Sequence, residues 1–443
     1  MAKTDGILQV IPSSKHSFSR EEISHNAIKV MEGLNRAGFE SYLVGGSIRD
    51  ALLGTHPKDF DVATDATPEQ IKRVFRNARI IGRRFRIVHV RFGREIIEVT
   101  TFRGQAEDSQ QQIESQTGQL IRDNVYGDMR SDALRRDFTI NALYYSLDDK
   151  SVYDYTQGLE DITQRQLRMI GDPLTRYKED PVRLLRAIRF SAKLGFRIEA
   201  NTASPISEHA SLLQHVAPAR LFDEVLKLFL NGSATATYSL LQDYGLLRPL
   251  FPGTMAVLDK SPYFDSLISA VMTNTDKRIR SEKRVTPAFI YGALLWPAFI
   301  YQQHKLVNKG LPVIEAVHQA ADQVIAQQIP IIAIPKRFTI PMKQIWELQW
   351  RLAQRTGKKA ERTLEHEKFR AGYDFLLMRE AAGEKLHGLG YWWTRYQDAA
   401  PAERQAMLDE LHHQRPTTKR RRPRKRSATS SESHSQQAPQ QTE

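Results

Sequence analysis

The sequence predicts an α+β chain, with a head of alternating helix and strand, an almost wholly helical remainder and a basic tail. Three observations carry this. Strand-like runs alternate with helical periodicity between Glu21 and Tyr145, and from Asp180 onward apolar residues recur at helical spacing. Between Arg415 and Arg426 eight basic residues stand without an acid. With 443 residues, 41% of them hydrophobic, the chain can bury cores for two or three domains.

Residues 1–20 read as a flexible arm. Ile23, Ala27, Ile28, Val30, Met31 and Leu34 then lie on one helical face that ends near Gly38, and Glu40 to Val44 reads as a strand entering Gly45-Gly46. A short helix is expected over Ile48 to Leu53 and a second strand over Asp59 to Thr64. Thr67-Pro68-Glu69 has a capping residue, proline at the first helical position and an acid near the positive end of the helix dipole. Two more strands, Ile87 to Phe92 and Glu95 to Thr101, turn at Gly93. Gln105 to Gly118 is polar and reads as a flexible loop. Helical segments dominate after Asp180, broken at Pro249, Pro252, Pro287, Pro330, Pro335 and Pro341. The last 17 residues, SATSSESHSQQAPQQTE, have the composition of a disordered segment.

Absences narrow the chemistry. There are no cysteines, which excludes disulfides, thiolate metal sites and cysteine nucleophiles and fits a reducing, cytoplasmic setting. The polar N-terminus lacks the basic-then-apolar pattern of a secretion signal. The longest apolar run, Ala288 to Tyr301, is too short to span a bilayer and contains Gly292 and Pro297, so no transmembrane segment is expected. The net charge of +13 divides into the concentrated basic run and a mildly basic body with about +5. A polyanion partner follows, with nucleic acid the first candidate.

Leu43 to Asp61, LVGGSIRDALLGTHPKDFD, concentrates the chemistry. Alternation along a strand puts Asp59 and Asp61 on one face, with Phe60 and Val62 on the other. Two acids held together repel unless a cation lies between them, and magnesium prefers carboxylate and phosphate oxygens. An isolated Asp-x-Asp is more often a solvated strand end; here GGSIRD precedes it. Gly45, Gly46 and Ser47, between strand and helix, turn backbone N–H groups toward a phosphate with no side chain in the way. Arg49 can then reach that phosphate, while Asp50 either orients Arg49 or caps the turn. Two residues compete as a third acid. Glu98 shares a strand face with Ile96 and Thr100, and Asp137, in RRDFTIN, lies four residues before Asn141 and on a helix would share its face. Further on, Arg183, Arg186 and Arg189 recur every third residue behind Glu179-Asp180-Pro181. Asp180 is a natural helix N-cap, and with Arg183 it also offers an acceptor and donor pattern to a base edge.

In this order, LVGGSIRD, DFD, RRDFTINAL and EDPVRLLR resemble the class II nucleotidyltransferase family, which contains bacterial poly(A) polymerases and CCA-adding tRNA nucleotidyltransferases. The resemblance covers Glu21 to about Phe251, including PARLFDEVLKLF at Pro218 to Phe229. It implies a catalytic head with a small mixed sheet (21–148), a helical neck with base recognition (149–255), a helical RNA-binding body (256–400) and a basic, largely disordered tail (401–443). It further implies that Asp59 and Asp61 bind two magnesium ions and that Asp137 is an active-site acid. Glu98 ranks second as a catalytic acid. Gly45, Gly46, Ser47, Arg49, Asp137, Asn141 and Arg186 are expected around the bound nucleotide, and the resemblance implies that Asp180 and Arg183 read the incoming base.

Ile80 to Val90, IIGRRFRIVHV, resembles the signature separating poly(A) polymerases from CCA-adding relatives. Its Arg83, Arg84 and Arg86 are candidates for nucleotide or RNA phosphates. Arg420, Arg421, Arg422, Arg424, Lys425 and Arg426 of the tail suit sequence-independent attraction to an RNA backbone. The expected reaction is AMP transfer from ATP to RNA 3′ ends, with RNA-decay proteins or an acidic membrane surface as further partners for the tail. The rivals are a CCA-adding enzyme and, in another class, an RNA-binding protein that keeps the fold without catalysis.

Overall fold

In the computed structural model, which describes residues 6–82, 86–104, 113–114, 120–122 and 125–413, eight strands form the main sheet of the head. They are β1 (Gln9–Ile11), β2 (Ser41–Val44), β3 (Asp61–Thr64), β4 (Ala78–Ile81), β5 (Ile87–Phe92), β6 (Glu95–Thr101), β7 (Leu143–Tyr145) and β8 (Val152–Asp154). Their order across the sheet is β1-β8-β7-β2-β3-β6-β5-β4. Only β3 and β6 run parallel, so the sheet is mixed.

Alternating side chains sort this sheet into two buried faces. Leu43, Val62, Val88, Val90, Ile97 and Val99 pack with Ala27, Val30, Met31 and Leu34 of helix α1 (His25–Arg36). Val44, Ala63, Phe102 and Tyr144 pack on the other face with Met129 and Ala133 of a later helix, Met129–Arg135. Ser24 caps α1 by accepting from the Ala27 N–H. Between the strands lie α2 (Gly46–Leu52) and α3 (Pro68–Val74); α3 has the capping box of Thr67 and Gln70 with Pro68 in its first turn. The Met129–Arg135 helix is α4.

The arm expected over residues 1–20 is corrected for the described residues. Gln9–Ile11 pairs with β8 as the sheet's edge, and Phe18 is buried edge-on against Tyr145. A three-residue strand followed by one aromatic anchor is too brief for a periodic signal. The strand expected over Asp59 to Thr64 begins only at Asp61, because its partners Val44 and Glu98 are both matched to that residue.

Helices follow the head: α5 (Gly158–Thr163), α6 (Pro173–Glu179), α7 (Val182–Leu194), α8 (Ala200–Glu208) and α9 (Pro218–Phe229). Gly195, at φ +67°, ends α7 in the left-handed conformation that glycine adopts without steric cost. The prolines do not all break helices. Pro287 opens helix Pro287–Leu294 and Pro335 precedes helix Lys336–Leu352, but Pro341 lies inside the latter. One continuous core runs from Phe18 through the neck to Phe375, so the boundaries near 148 and 255 are not breaks in packing. A second core gathers Leu352, Ala360, Trp393, Tyr396 and Met407. Its last helix, Pro401–His413, lies within the segment expected to be a largely disordered tail. No helix among the described residues is long and apolar enough to cross a membrane.

Candidate active site

Strand register brings the carboxylates together. Asp61 stands between Val44, the last residue of β2, and Glu98 in the parallel neighbour β6. Asp59 precedes the strand and is exposed, with Phe60 turned into the core. Burial, with the Glu98 and Asp59 charges adding to it, pushes the Asp61 carboxyl up to about 6 despite the opposing Arg136. This is an electrostatic demand for a cation. Of the two candidates for a third acid, Glu98, held 3.2 Å from His89 Nε2, is in register beside Asp61.

The glycine turn closes the same end of the sheet. Gly45 has φ +83° and ψ −131°, a conformation that a side chain would oppose. Its N–H donates to the Leu143 carbonyl, so the donors available to a ligand begin with the first turn of α2, whose N–H groups have no intrahelical acceptors. Ser47 is 4% exposed and its hydroxyl is without a hydrogen-bond partner among the described residues. An orphaned buried donor beside free helical N–H groups suits a phosphate oxygen.

Arg49, expected to reach a phosphate, is 3% exposed and held by neighbouring side chains. Its guanidinium donates to Asp50 Oδ1 at 2.6 and 2.9 Å and to the Asn141 side-chain oxygen, and stacks over Phe190. Of the two roles open to Asp50, orienting Arg49 is the one its side chain performs. Asn141 passes the chain of bonds onward, donating at 3.1 Å to Asp137 Oδ1.

Asp137 and Asn141 do meet, but across a tight 3₁₀ turn, Thr139–Asn141, rather than on one helix. Asp137 also accepts from the Phe138 N–H and from Arg186 of α7, whose nitrogens lie 2.5 and 2.6 Å from Oδ2. Burial alone would push this carboxyl up. Arg186 and the hydrogen bonds of Asn141 and Phe138 outweigh burial and hold it at about 2. Asp137 is thus committed to an ion pair joining head to neck, and Arg186 to Asp137 rather than to an open nucleotide site.

The neck pair is arranged differently from the sequence expectation. The N-cap position of α7 is Pro181, not Asp180, which ends α6. Asp180 receives both terminal nitrogens of Arg220 from α9, each at 2.8 Å. Arg183 donates to the Arg176 carbonyl and to Glu179 Oε2 at 2.8 and 2.9 Å. Neither of these contacts sets acid and guanidinium side by side as a free reading edge. Arg220 and Phe190 escaped sequence reading. The visible signals were an arginine in PARLFDE and a lone aromatic among the arginines of α7.

Arg86 is tied to Glu69 in α3. Arg83, Arg84, Arg420, Arg421, Arg422, Arg424, Lys425 and Arg426 lie outside the described residues, as does most of the Gln105 to Gly118 loop. Among the described residues no three His, Cys, Asp or Glu side chains form a closed metal cage. Two carboxylates with an open remainder suit magnesium, which keeps water and substrate phosphates in its shell.

Comparison with known proteins places this geometry. The head matches the family "Poly A polymerase head domain" over residues 41–168. Residues 195–258 match "Probable RNA and SrmB- binding site of polymerase A", and 309–427 match "Polymerase A arginine-rich C-terminus". Poly(A) polymerase I of Salmonella typhi is 47% identical over 429 residues, spanning 95% of this chain and 92% of that one. The chain belongs to the poly(A) polymerase family. A CCA-adding enzyme of Lactobacillus helveticus is 35% identical over 238 residues, 53% of this chain and 58% of its own. The Bacillus stearothermophilus CCA-adding enzyme solved with CTP has the same fold, at 22% identity and a TM-score of 0.55, covering 87% of this chain and 80% of that one. The family's head therefore holds Asp59, Asp61, the glycine turn and the Arg49–Asn141–Asp137 chain, while Asp180 and Arg183 fall between the head and RNA-binding matches.

Proposed function

We propose that this chain adds AMP from ATP to RNA 3′ ends without a template, using Asp59 and Asp61 as its magnesium-binding pair. The observation carrying the reading is Asp61, partly buried in register with Glu98 at the mouth of the glycine turn with its carboxyl pushed up to about 6. Near-full-length kinship to a poly(A) polymerase, against half-length kinship to a CCA-adding enzyme, favours polyadenylation.

The residues divide the work. The first turn of α2 and the Ser47 hydroxyl hold the triphosphate, with Gly45 giving that turn its direction. Asp50, Asn141 and Asp137 fix Arg49, so the phosphate site is lined by a guanidinium that does not need reorganising. The RNA 3′-oxygen attacks the α-phosphorus, and the bond to pyrophosphate breaks. Magnesium held by Asp59 and Asp61 would supply Lewis-acid polarisation of the phosphate and acidify the 3′-hydroxyl. Asp180 and Arg183 serve base selection by exchanging their present partners, Arg220 and Glu179, for the adenine edge. The basic tail adds RNA-backbone attraction and is also the segment proposed to meet RNA-decay proteins or an acidic membrane surface.

The test is to incubate the protein with a short non-tRNA RNA, magnesium and each nucleotide singly. A long ladder with ATP is expected. Stopping after a few additions, with CTP required on tRNA, would establish CCA addition instead, and no extension at all would leave an RNA-binding protein.

A further inference from the structure

The C-terminal core ends in a column of four side chains. The Trp392 and Tyr396 rings stack 4.5 Å apart at 15°, with Arg404 over Tyr396 at 5.5 Å and Arg355 5.2 Å from the Trp392 ring centroid. Each ring of the stacked pair thus has one guanidinium close to it. Its two ends differ. At one end Glu361 accepts from both Arg404 and the Tyr396 hydroxyl, at 3.2 and 2.9 Å, and compensates the charge. At the other, no carboxylate among the described residues pairs with Arg355, although this guanidinium is half-buried. Burial holds its pKa below the ordinary arginine value with nothing opposing it.

A partly desolvated guanidinium 5.2 Å from an aromatic ring centroid, with no carboxylate against it among the described residues, is an incomplete structure. Its free side calls for an anion, and the column calls for another flat π-system. A nucleotide supplies both in one unit, a base to continue the stack and a phosphate to neutralise the charge. The surroundings agree with this. Tyr391, next to Trp392, is 69% exposed, and Lys358 and Lys359 stand three and four residues beyond Arg355. Interleaved cations and exposed aromatics mark surfaces that take single-stranded nucleic acid.

We propose that Arg355, Trp392 and Tyr391 form a stacking site for single-stranded RNA on the C-terminal core. This site is remote in sequence from the carboxylates and rests on the reading of the chain as an RNA-extending enzyme. It would hold RNA upstream of the growing end and so act on RNA affinity, with little effect on AMP transfer. It would tolerate any base, because every base has a π-face.

The test uses the full-length protein, its Arg355→Ala, Arg355→Lys and Tyr391→Ala variants, and fluorescently labelled oligoadenylate of about 20 nucleotides without ATP. One lost stacking contact weakens binding roughly 5- to 100-fold. Arg355→Lys keeps the charge and loses the plane, so its affinity should fall while its salt slope stays at the native value. In extension assays KM for RNA should rise, with KM for ATP and kcat at saturating RNA unchanged. Native RNA affinity in folded Arg355→Ala and Tyr391→Ala would overturn the proposal, whether or not the column binds an acidic protein. So would full recovery of affinity in Arg355→Lys, which would reduce the site to a point charge. Failure of the parent protein to extend RNA would instead strike the functional reading.

Discussion

Replacing Asp137 with asparagine separates two roles for this acid, metal ligand and positioning group. The structure gives it the second, because Arg186, Asn141 and the Phe138 N–H already occupy its oxygens. The shift from 3.8 to about 2 corresponds to stability on the order of 2 kcal/mol at pH 7. The sign follows from a depressed folded-state value: this stability is present above the unfolded pKa and is lost as pH falls through the folded one. At pH 3, between the two values, roughly half of it should remain. Urea denaturation of parent and Asp137→Asn proteins, both stripped of metal with chelator, should therefore give a difference that shrinks by roughly 1 kcal/mol between pH 7 and pH 3. In extension assays the variant should lose rate through misplacement of Asn141 and Arg49, with its magnesium requirement unchanged. A pH-independent stability difference, or activity restored by excess magnesium, would refute the positioning role and favour a metal-ligand role for Asp137.

Other consequences can be checked directly. Asp59→Ala or Asp61→Ala should abolish primer extension while RNA binding survives; substantial extension by either folded variant contradicts the carboxylate assignment. In metal-free protein Asp61→Asn should be more stable than the parent by about 1–3 kcal/mol at pH 8, since a raised carboxyl pKa costs stability that grows as pH rises from about 4 and is complete above about 6, and the gain should vanish below pH 4. Equal stabilities at pH 8, by the same denaturation assay, would count against the buried charge. Arg220→Met should free Asp180 and change the ratio of ATP to CTP incorporation in single-nucleotide assays; an unaltered ratio would mean that Asp180 takes no part in base choice. Deleting Arg415 to Arg426 should weaken RNA binding and flatten its salt dependence, with kcat retained, as filter binding over a salt series would reveal.

What the sequence disclosed and what it concealed follow from the range of the interactions involved. The hairpin of β5 and β6 was legible to the residue because period-two alternation and Gly93 are local signals. The α3 cap was equally local. Phe18, β1 and the Asp180–Arg220 pair were not legible, since their partners lie far along the chain and no spacing rule connects them. The site divides in the same way. Which residues matter near Gly45 and Asp61 could be read from type and order, yet their states could not. Arg49, placed by its motif at the phosphate, is buried among Asp50, Asn141 and Phe190; Asp137, placed among the catalytic acids, is held by a neck arginine; Glu98, ranked second, stands in register with Asp61. Polar groups of the site thus separate into those left with unmet demand, the Asp61 carboxyl and the Ser47 hydroxyl, and those already satisfied by one another. Unmet demand is what a metal ion and a triphosphate can satisfy on binding, whereas the satisfied chain from Asp50 to Arg186 keeps the surrounding cleft in place while they come and go.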